Sequence, residues 1–92
     1  MPRLLNRHHY KNKPLPVGAR YIGRGTPYGN PFVIGKDGNR QECVDKFERE
    51  VLPDLDVEPL RGFDLICSCY PLPCHGEPIM RKLYGSLWRN EE

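Results

Sequence analysis

From Gly23 to Gly38 the chain reads Gly-Arg-Gly-Thr-Pro-Tyr-Gly-Asn-Pro-Phe-Val-Ile-Gly-Lys-Asp-Gly, and no other stretch limits the fold so strongly. Each proline removes an amide donor and fixes φ, and each glycine disfavours regular structure, so the run forbids a helix and requires several turns. Only Phe32 to Ile34 is apolar enough to form a short strand within it. A segment this rich in turn residues is expected to hold a tight backbone shape, and shaped loops are where ligands bind. The plainer alternative is a surface connection.

The flanking segments are more regular. Residues 2 to 6 and 19 to 24 read as short strands, because Leu4, Leu5, Tyr21 and Ile22 form small apolar patches bounded by polar or turn residues. Pro14, Pro16 and Gly18 make the stretch between them a loop or an extended edge. Asn39 followed three places later by Glu42 is a capping box, and Cys43, Val44, Phe47, Val51 and Leu52 recur at helical spacing. A helix is therefore predicted over about residues 40 to 52, ended by Pro53, with Cys43 on its buried face. Residues 54 to 62 read as a polar link. Phe63, Leu65, Ile66 and Cys67 then resemble a buried strand. Pro78 suits the first turn of a second helix carrying Ile79, Met80, Leu83, Leu87 and Trp88, weakened but not ended by Gly85. Three to four short strands and two helices predict a single α+β, or small α/β, domain over residues 1 to 92.

A chain of 92 residues can build one modest core, and a bound metal, ligand or partner would add appreciably to its stability. No apolar run is long enough to span a membrane, and the first residues lack the apolar centre of a signal peptide. A soluble, cytoplasmic protein is expected. In that setting the four cysteines point to metal binding or thiol chemistry more than to disulfides.

The net charge of +2 hides a division. Residues 1 to 36 carry Arg3, Arg7, Lys11, Lys13, Arg20, Arg24 and Lys36, with His8 and His9, and none of the 12 Asp and Glu residues. This asymmetry suggests a basic face that meets phosphate, a nucleotide or nucleic acid. The competing expectation is that an acidic helix folds over the basic segments and neutralises them.

Potential chemistry is densest at Cys67, Cys69, Cys74 and His75. Cys67 and Cys69 would share one side of an extended segment, and a turn through Pro71 and Pro73 can bring Cys74 back to them. Three thiolates suit zinc, with His75, His8, His9, Cys43 or water in fourth place. Alternatively Cys74, just ahead of the second helix, is a candidate nucleophile, with His75, His8 or His9 as its base. The third reading makes all the cysteines structural. In the turn-rich run, Arg24 could grip a phosphate, Asn30 could fix an amide or base edge, and Tyr28 or Phe32 could stack on a ring. This run is neither a GxxxxGK[ST] phosphate loop nor a GxGxxG dinucleotide fingerprint.

The two blocks Tyr21-Ile-Gly-Arg with Gly-Asn-Pro-Phe-Val-Ile-Gly-Lys-Asp-Gly38, and Cys67-x-Cys-x4-Cys-His-Gly-Glu77, occur in the order and spacing of a phage and bacterial family. The chain resembles the domain of unknown function 4326 family over about residues 3 to 84. The resemblance implies that Gly23, Arg24, Gly29, Asn30, Pro31, Phe32, Cys67, Cys69, Cys74, His75 and Gly76 occupy motif positions. Tyr28 stands where members often have Trp, and Cys43 lies outside the motif. The family carries no assigned activity. Its phage and bacterial distribution suggests a small protein that handles nucleotides, modifies nucleic acid or binds a host protein, in the host cytoplasm if phage-encoded.

These readings combine into one expectation: Cys67, Cys69, Cys74 and His75 form a zinc site beside a Gly-Asn-Pro loop whose Arg24, Tyr28, Asn30 and Phe32 bind a nucleotide or nucleic acid. One alternative is a noncatalytic protein that docks on a host protein, with the cysteines merely fastening a loop. The other is a thiol enzyme built on Cys74 and His75.

Overall fold

Leu65 and Ile66 are adjacent in sequence and both are 0% exposed. Neighbouring residues of a strand point to opposite faces, so the strand that carries them is covered on both sides. In the computed structural model of the protein, which describes residues 2–23, 25–68 and 72–90, that strand is the centre of a three-stranded sheet. The strands are β1 (Leu4–Asn6), β2 (Ala19–Tyr21) and β3 (Asp64–Cys67). Their spatial order is β1-β3-β2, and β3 pairs in parallel with both neighbours. Leu4 stands opposite Leu65 on one side, and Arg20 stands opposite it on the other. Two helices complete the domain, α1 (Arg40–Lys46) and α2 (Gly76–Tyr84).

The core follows the strand alternation. Leu65 and Cys67 face one cluster with Leu4, Ile22, Phe47, Leu52, Val57, Leu60, Cys74, Ile79, Met80 and Leu83, while Ile66 lies outside that cluster. The outer edge of β1 is covered from the far end of the chain. Leu4 N–H donates to Asn90 Oδ1 at 2.9 Å, and Asn90 Nδ2 donates back to Leu4 O at 2.9 Å, so the side-chain amide takes the place of a neighbouring strand.

The capping box forms as its residues predict. Glu42 N–H donates to Asn39 Oδ1 at 2.9 Å, and Asn39 N–H donates to Glu42 Oε1 at 3.0 Å. Cys43 is buried, as expected of a core residue. The predicted single helix to residue 52 is instead a composite. After Lys46 the chain widens into a π-turn over Phe47–Val51, then tightens into a 3-10 turn over Leu52–Asp54. Pro53 has no amide hydrogen to continue a regular ladder, and Leu52 N–H reaches back five residues to Phe47 O.

Three further expectations are corrected. Phe32 to Ile34 is no strand, because the Asp37 carboxylate accepts from Val33 N–H at 2.8 Å and Asp37 N–H donates to Val33 O at 2.8 Å, folding the segment into a turn. The link over 54 to 62 is only partly polar: Val57 and Leu60 are buried, and Leu60 sits in a 3-10 turn, Glu58–Leu60. The second helix stops at Gly85, whose φ of 103° takes the chain out of helical space. Leu87 is left 93% exposed, although Trp88 packs against the core.

Arg61 ties the end of α2 down. Its Nη1 donates to Leu83 O at 3.0 Å while Nε and Nη2 grip the exposed Glu58 carboxylate, and that hydrogen-bonded guanidinium holds the Glu58 carboxyl below its ordinary value.

Gly76 opens α2 at the closest approach of helix and sheet. A Cβ there would lie 2.6 Å from Leu4 Cδ1 and 2.9 Å from Ile22 Cδ1, both ends of fully buried side chains with nowhere to retreat. Gly76→Ala is expected to lower unfolding free energy by about 1–3 kcal/mol, the usual result of overpacking a core. Urea unfolding measures it, and a midpoint equal to wild type would show that the contact is not tight.

Candidate functional site

A parallel sheet releases every strand at the same edge, and the loops there frame a crevice. Here the chain leaves β2 through Ile22 and Gly23 and leaves β3 through Ser68, and it returns into α2 through Pro73, Cys74 and His75. A cavity of about 160 Å³ opens between these segments and the start of α1. Phe32 and Asn30 reach it from the turn-rich loop, Arg40 and Cys43 from α1, and Tyr21, Cys67, Ser68, Cys74 and His75 from the sheet side. No carboxylate is among its described lining residues.

His75 is the most tightly constrained polar group of the site. It is 6% exposed, its ring meets Phe47 edge-on at 5.1 Å, and its Nε2 lies 2.8 Å from Ile22 O. A carbonyl only accepts, so Nε2 carries the hydrogen of this bond. Nδ1 lies 3.9 Å from Cys74 Sγ. Cys74 is 1% exposed and its sulfur receives the Gly76 N–H at 3.4 Å, the contact of a thiol with the first turn of α2. The two adjacent side chains, which could have diverged, therefore converge.

Asn30 serves the loop itself. Its Nδ2 donates to Cys43 O at 3.1 Å and its Oδ1 accepts from Phe32 N–H at 2.9 Å, which fastens the Gly-Asn-Pro turn to α1. One N–H and one lone pair of the amide remain for a ligand. Phe32 lines the cavity with Lys46 Nζ 5.9 Å from its ring centre. Gly23 is buried, and a Cβ there would run into the Tyr21 phenol, so this backbone passes close against the ring.

The structure thus brings Asn30, Phe32, Cys67, Cys74 and His75 together at one cavity. Tyr28 does not join them, since it is partly buried against the core cluster. His8 and His9 do not line the cavity either; they are exposed on the 3-10 turn Arg7–Tyr10 that follows β1. Arg24 and Cys69 lie outside the described residues. Among the described residues no group of three or more His, Cys, Asp or Glu side chains is arranged to hold a metal ion. Sequence reasoning missed Arg40 and Ser68. Arg40 reads as an ordinary solvent-facing residue of a helix start, and only the packing of α1 against the end of the sheet turns it toward the cavity.

The expected neutralisation of the basic segment is slight. Arg3 pairs with Asp64 at 3.7 Å, and the other ion pairs among the described residues, Arg61–Glu58 and Arg81–Glu48, lie within the second half of the chain. No helix of the described residues is long and apolar enough to cross a membrane.

Both motif blocks face this cavity, and comparison with known families agrees with their order and spacing: the domain of unknown function 4326 matches residues 5–85. The chain belongs to that family. Among curated proteins it is similar to an uncharacterized 12.4 kDa protein of the nrdA-td intergenic region of Enterobacteria phage T4. The two are 39% identical over a 79-residue alignment, gaps included, that covers 76% of this chain and 70% of the phage protein. No solved structure matches the chain. A phage-type family member of unassigned activity is therefore the identity on which the site must be read.

The His75 geometry makes a spectroscopic prediction. Long-range proton–nitrogen correlation should show a hydrogen on Nε2; an Nε2 without a hydrogen would mean that the bond to Ile22 O does not form.

Proposed function

We propose that the protein binds a nucleotide in the cavity at the carboxyl edge of its sheet, with the phosphate held by Arg40 and the base against Phe32. The observation that carries this reading is the convergence of Arg40 with the aromatic residues Tyr21 and Phe32 on a cavity lined by no carboxylate among the described residues. Arg40 makes no ion pair with any described residue, so its charge is available to an anion. Planar guanidinium groups match phosphate oxygens in pairs, and aromatic faces accept any base. Backbone amides contribute less here. The start of α1 is closed by its capping box, and the first amide of α2 is directed to Cys74.

Isothermal titration with adenosine monophosphate and with adenosine tests the assignment. A hydrogen bond to a charged partner contributes about 1.5–3 kcal/mol, so Arg40→Ala should weaken the monophosphate by about tenfold or more while changing adenosine little. Phe32→Ala should weaken both. Equal affinity of wild type and Arg40→Ala for the monophosphate would remove Arg40 from the site.

A second reading, a zinc site completed by Cys67 and Cys69, is favoured by the posture of His75. Zinc-bound histidines commonly direct their other N–H to a carbonyl, as Nε2 does here. Sulfur and nitrogen on one tetrahedral zinc are about 3.6 Å apart, close to the Cys74–His75 separation of 3.9 Å. Bound zinc would fix the loop between β3 and α2. Elemental analysis of untagged protein should then find about one zinc per chain, lost in Cys74→Ser. Metal-free protein with undiminished thermal stability would exclude the zinc reading.

A further inference from the structure

The cavity is small for the ligand class proposed for it. At about 160 Å³ it falls below the roughly 300–1,000 Å³ of clefts that enclose a drug-sized ligand, so it holds a single nucleotide only partly enclosed and leaves the rest of a larger ligand outside. What lies beyond it is informative. A second, larger groove of about 700 Å³ follows β1, lined by Arg7, Tyr10, Lys11, Lys13 and Tyr21 among others, again with no carboxylate among its described lining residues. Tyr21 lines both spaces. Arg7 holds its ring, with the guanidinium carbon 5.2 Å from the ring centre and Nη1 donating to the phenol oxygen at 3.3 Å.

The groove has a defined shape. Lys13 N–H donates to Tyr10 O at 2.9 Å, Lys11 takes φ −58° and ψ 127°, and Asn12 takes φ 61°. These are the angles of a type II turn with asparagine at the position that needs positive φ. That turn sets the two lysines one residue apart on the groove. Arg7, Lys11 and Lys13 form no ion pair with any described residue. Because β1, β2 and β3 are parallel, the groove after β1 and the cavity after β2 and β3 share one edge of the sheet.

Three cations without an ion pair among the described residues, grouped with two tyrosines in a groove that shares Tyr21 with a pocket for a single nucleotide, have the recognition chemistry of an unpaired strand. Resting on the nucleotide reading of the cavity, we infer that the ligand is a single-stranded nucleic acid. Its phosphodiester backbone runs along the groove past Arg7, Lys11 and Lys13, and one unpaired nucleotide passes Tyr21 into the cavity. A duplex does not fit this arrangement, since a paired base is not available to a pocket of this size.

Fluorescence anisotropy with a short mixed-sequence single-stranded oligonucleotide, set beside titration with adenosine monophosphate, tests the inference. The oligonucleotide should bind at least about tenfold more tightly at low salt, and its log–log salt slope should be steeper by about 0.7 for each further phosphate held. The double substitution Lys11→Glu with Lys13→Glu lies on exposed positions. It should reduce oligonucleotide affinity at least about tenfold and flatten the slope, while monophosphate affinity stays as in wild type. Equal affinities and slopes for the two ligands, or no effect of the lysine pair on the oligonucleotide, would overturn the inference and leave a free-nucleotide site. Oligonucleotide binding that depends on the lysines but is indifferent to both Arg40→Ala and Phe32→Ala would overturn the entry of a nucleotide into the cavity. Monophosphate binding that is abolished by Arg40→Ala, with no oligonucleotide binding at all, would leave the nucleotide reading standing and sink the strand.

Discussion

The parallel pairing of β3 with both of its neighbours is the constraint on which the rest of the molecule depends. Three short strands running the same way must be joined by connections that return from one edge of the sheet to the other. Every such connection leaves from the carboxyl edge. The turn after β1, the Gly-Asn-Pro loop after β2 and the cysteine segment after β3 are therefore gathered at one edge although they are far apart in sequence. Two contacts lock that edge: the absence of a side chain at Gly76, which lets α2 touch Leu4 and Ile22, and the bond from His75 Nε2–H to Ile22 O. The residues bearing chemistry thus also hold the helix to the sheet.

Local features were readable from the chain because local physics decides them. Asn39 and Glu42 satisfy each other's backbone amides wherever they stand three apart, the run from Leu65 to Cys67 is apolar on both faces, and Cys43 falls on the buried side of α1. Parallel pairing and strand order depend on contacts across some sixty positions, such as Leu4 with Leu65, and no local pattern encodes them. Where the reading failed, a side chain or a dihedral overrode the apolar pattern. Asp37 folds Val33 into a turn, Gly85 ends α2, and Val57 and Leu60 are drawn from a mostly polar segment into the core.

The site was legible in the same uneven way. Cys67, Cys74, His75, Asn30 and Phe32, drawn from both motif blocks, line one cavity. Their individual duties were less visible: Asn30 mainly braces its own loop, and Tyr28 packs on the core. Arg40 had no signal of its own, because only the docking of α1 at the carboxyl edge turns a helix-start arginine into a cavity wall. The charge division of the chain survives folding, since a single ion pair, Arg3–Asp64, links its basic and acidic parts among the described residues. That unneutralised edge is what makes an anionic ligand the natural proposal for a phage-type protein whose family has no assigned activity.

The most direct test of this account is a map of backbone amide chemical shifts on titration with adenosine monophosphate. Ligand binding at the carboxyl edge predicts shifts gathered at Gly23, Phe32, Arg40, Ser68 and His75, with little change at Gly62 and Tyr84, which are joined near the opposite end of β3. Shifts centred on Gly62 and Tyr84, or none at any concentration reached, would contradict it.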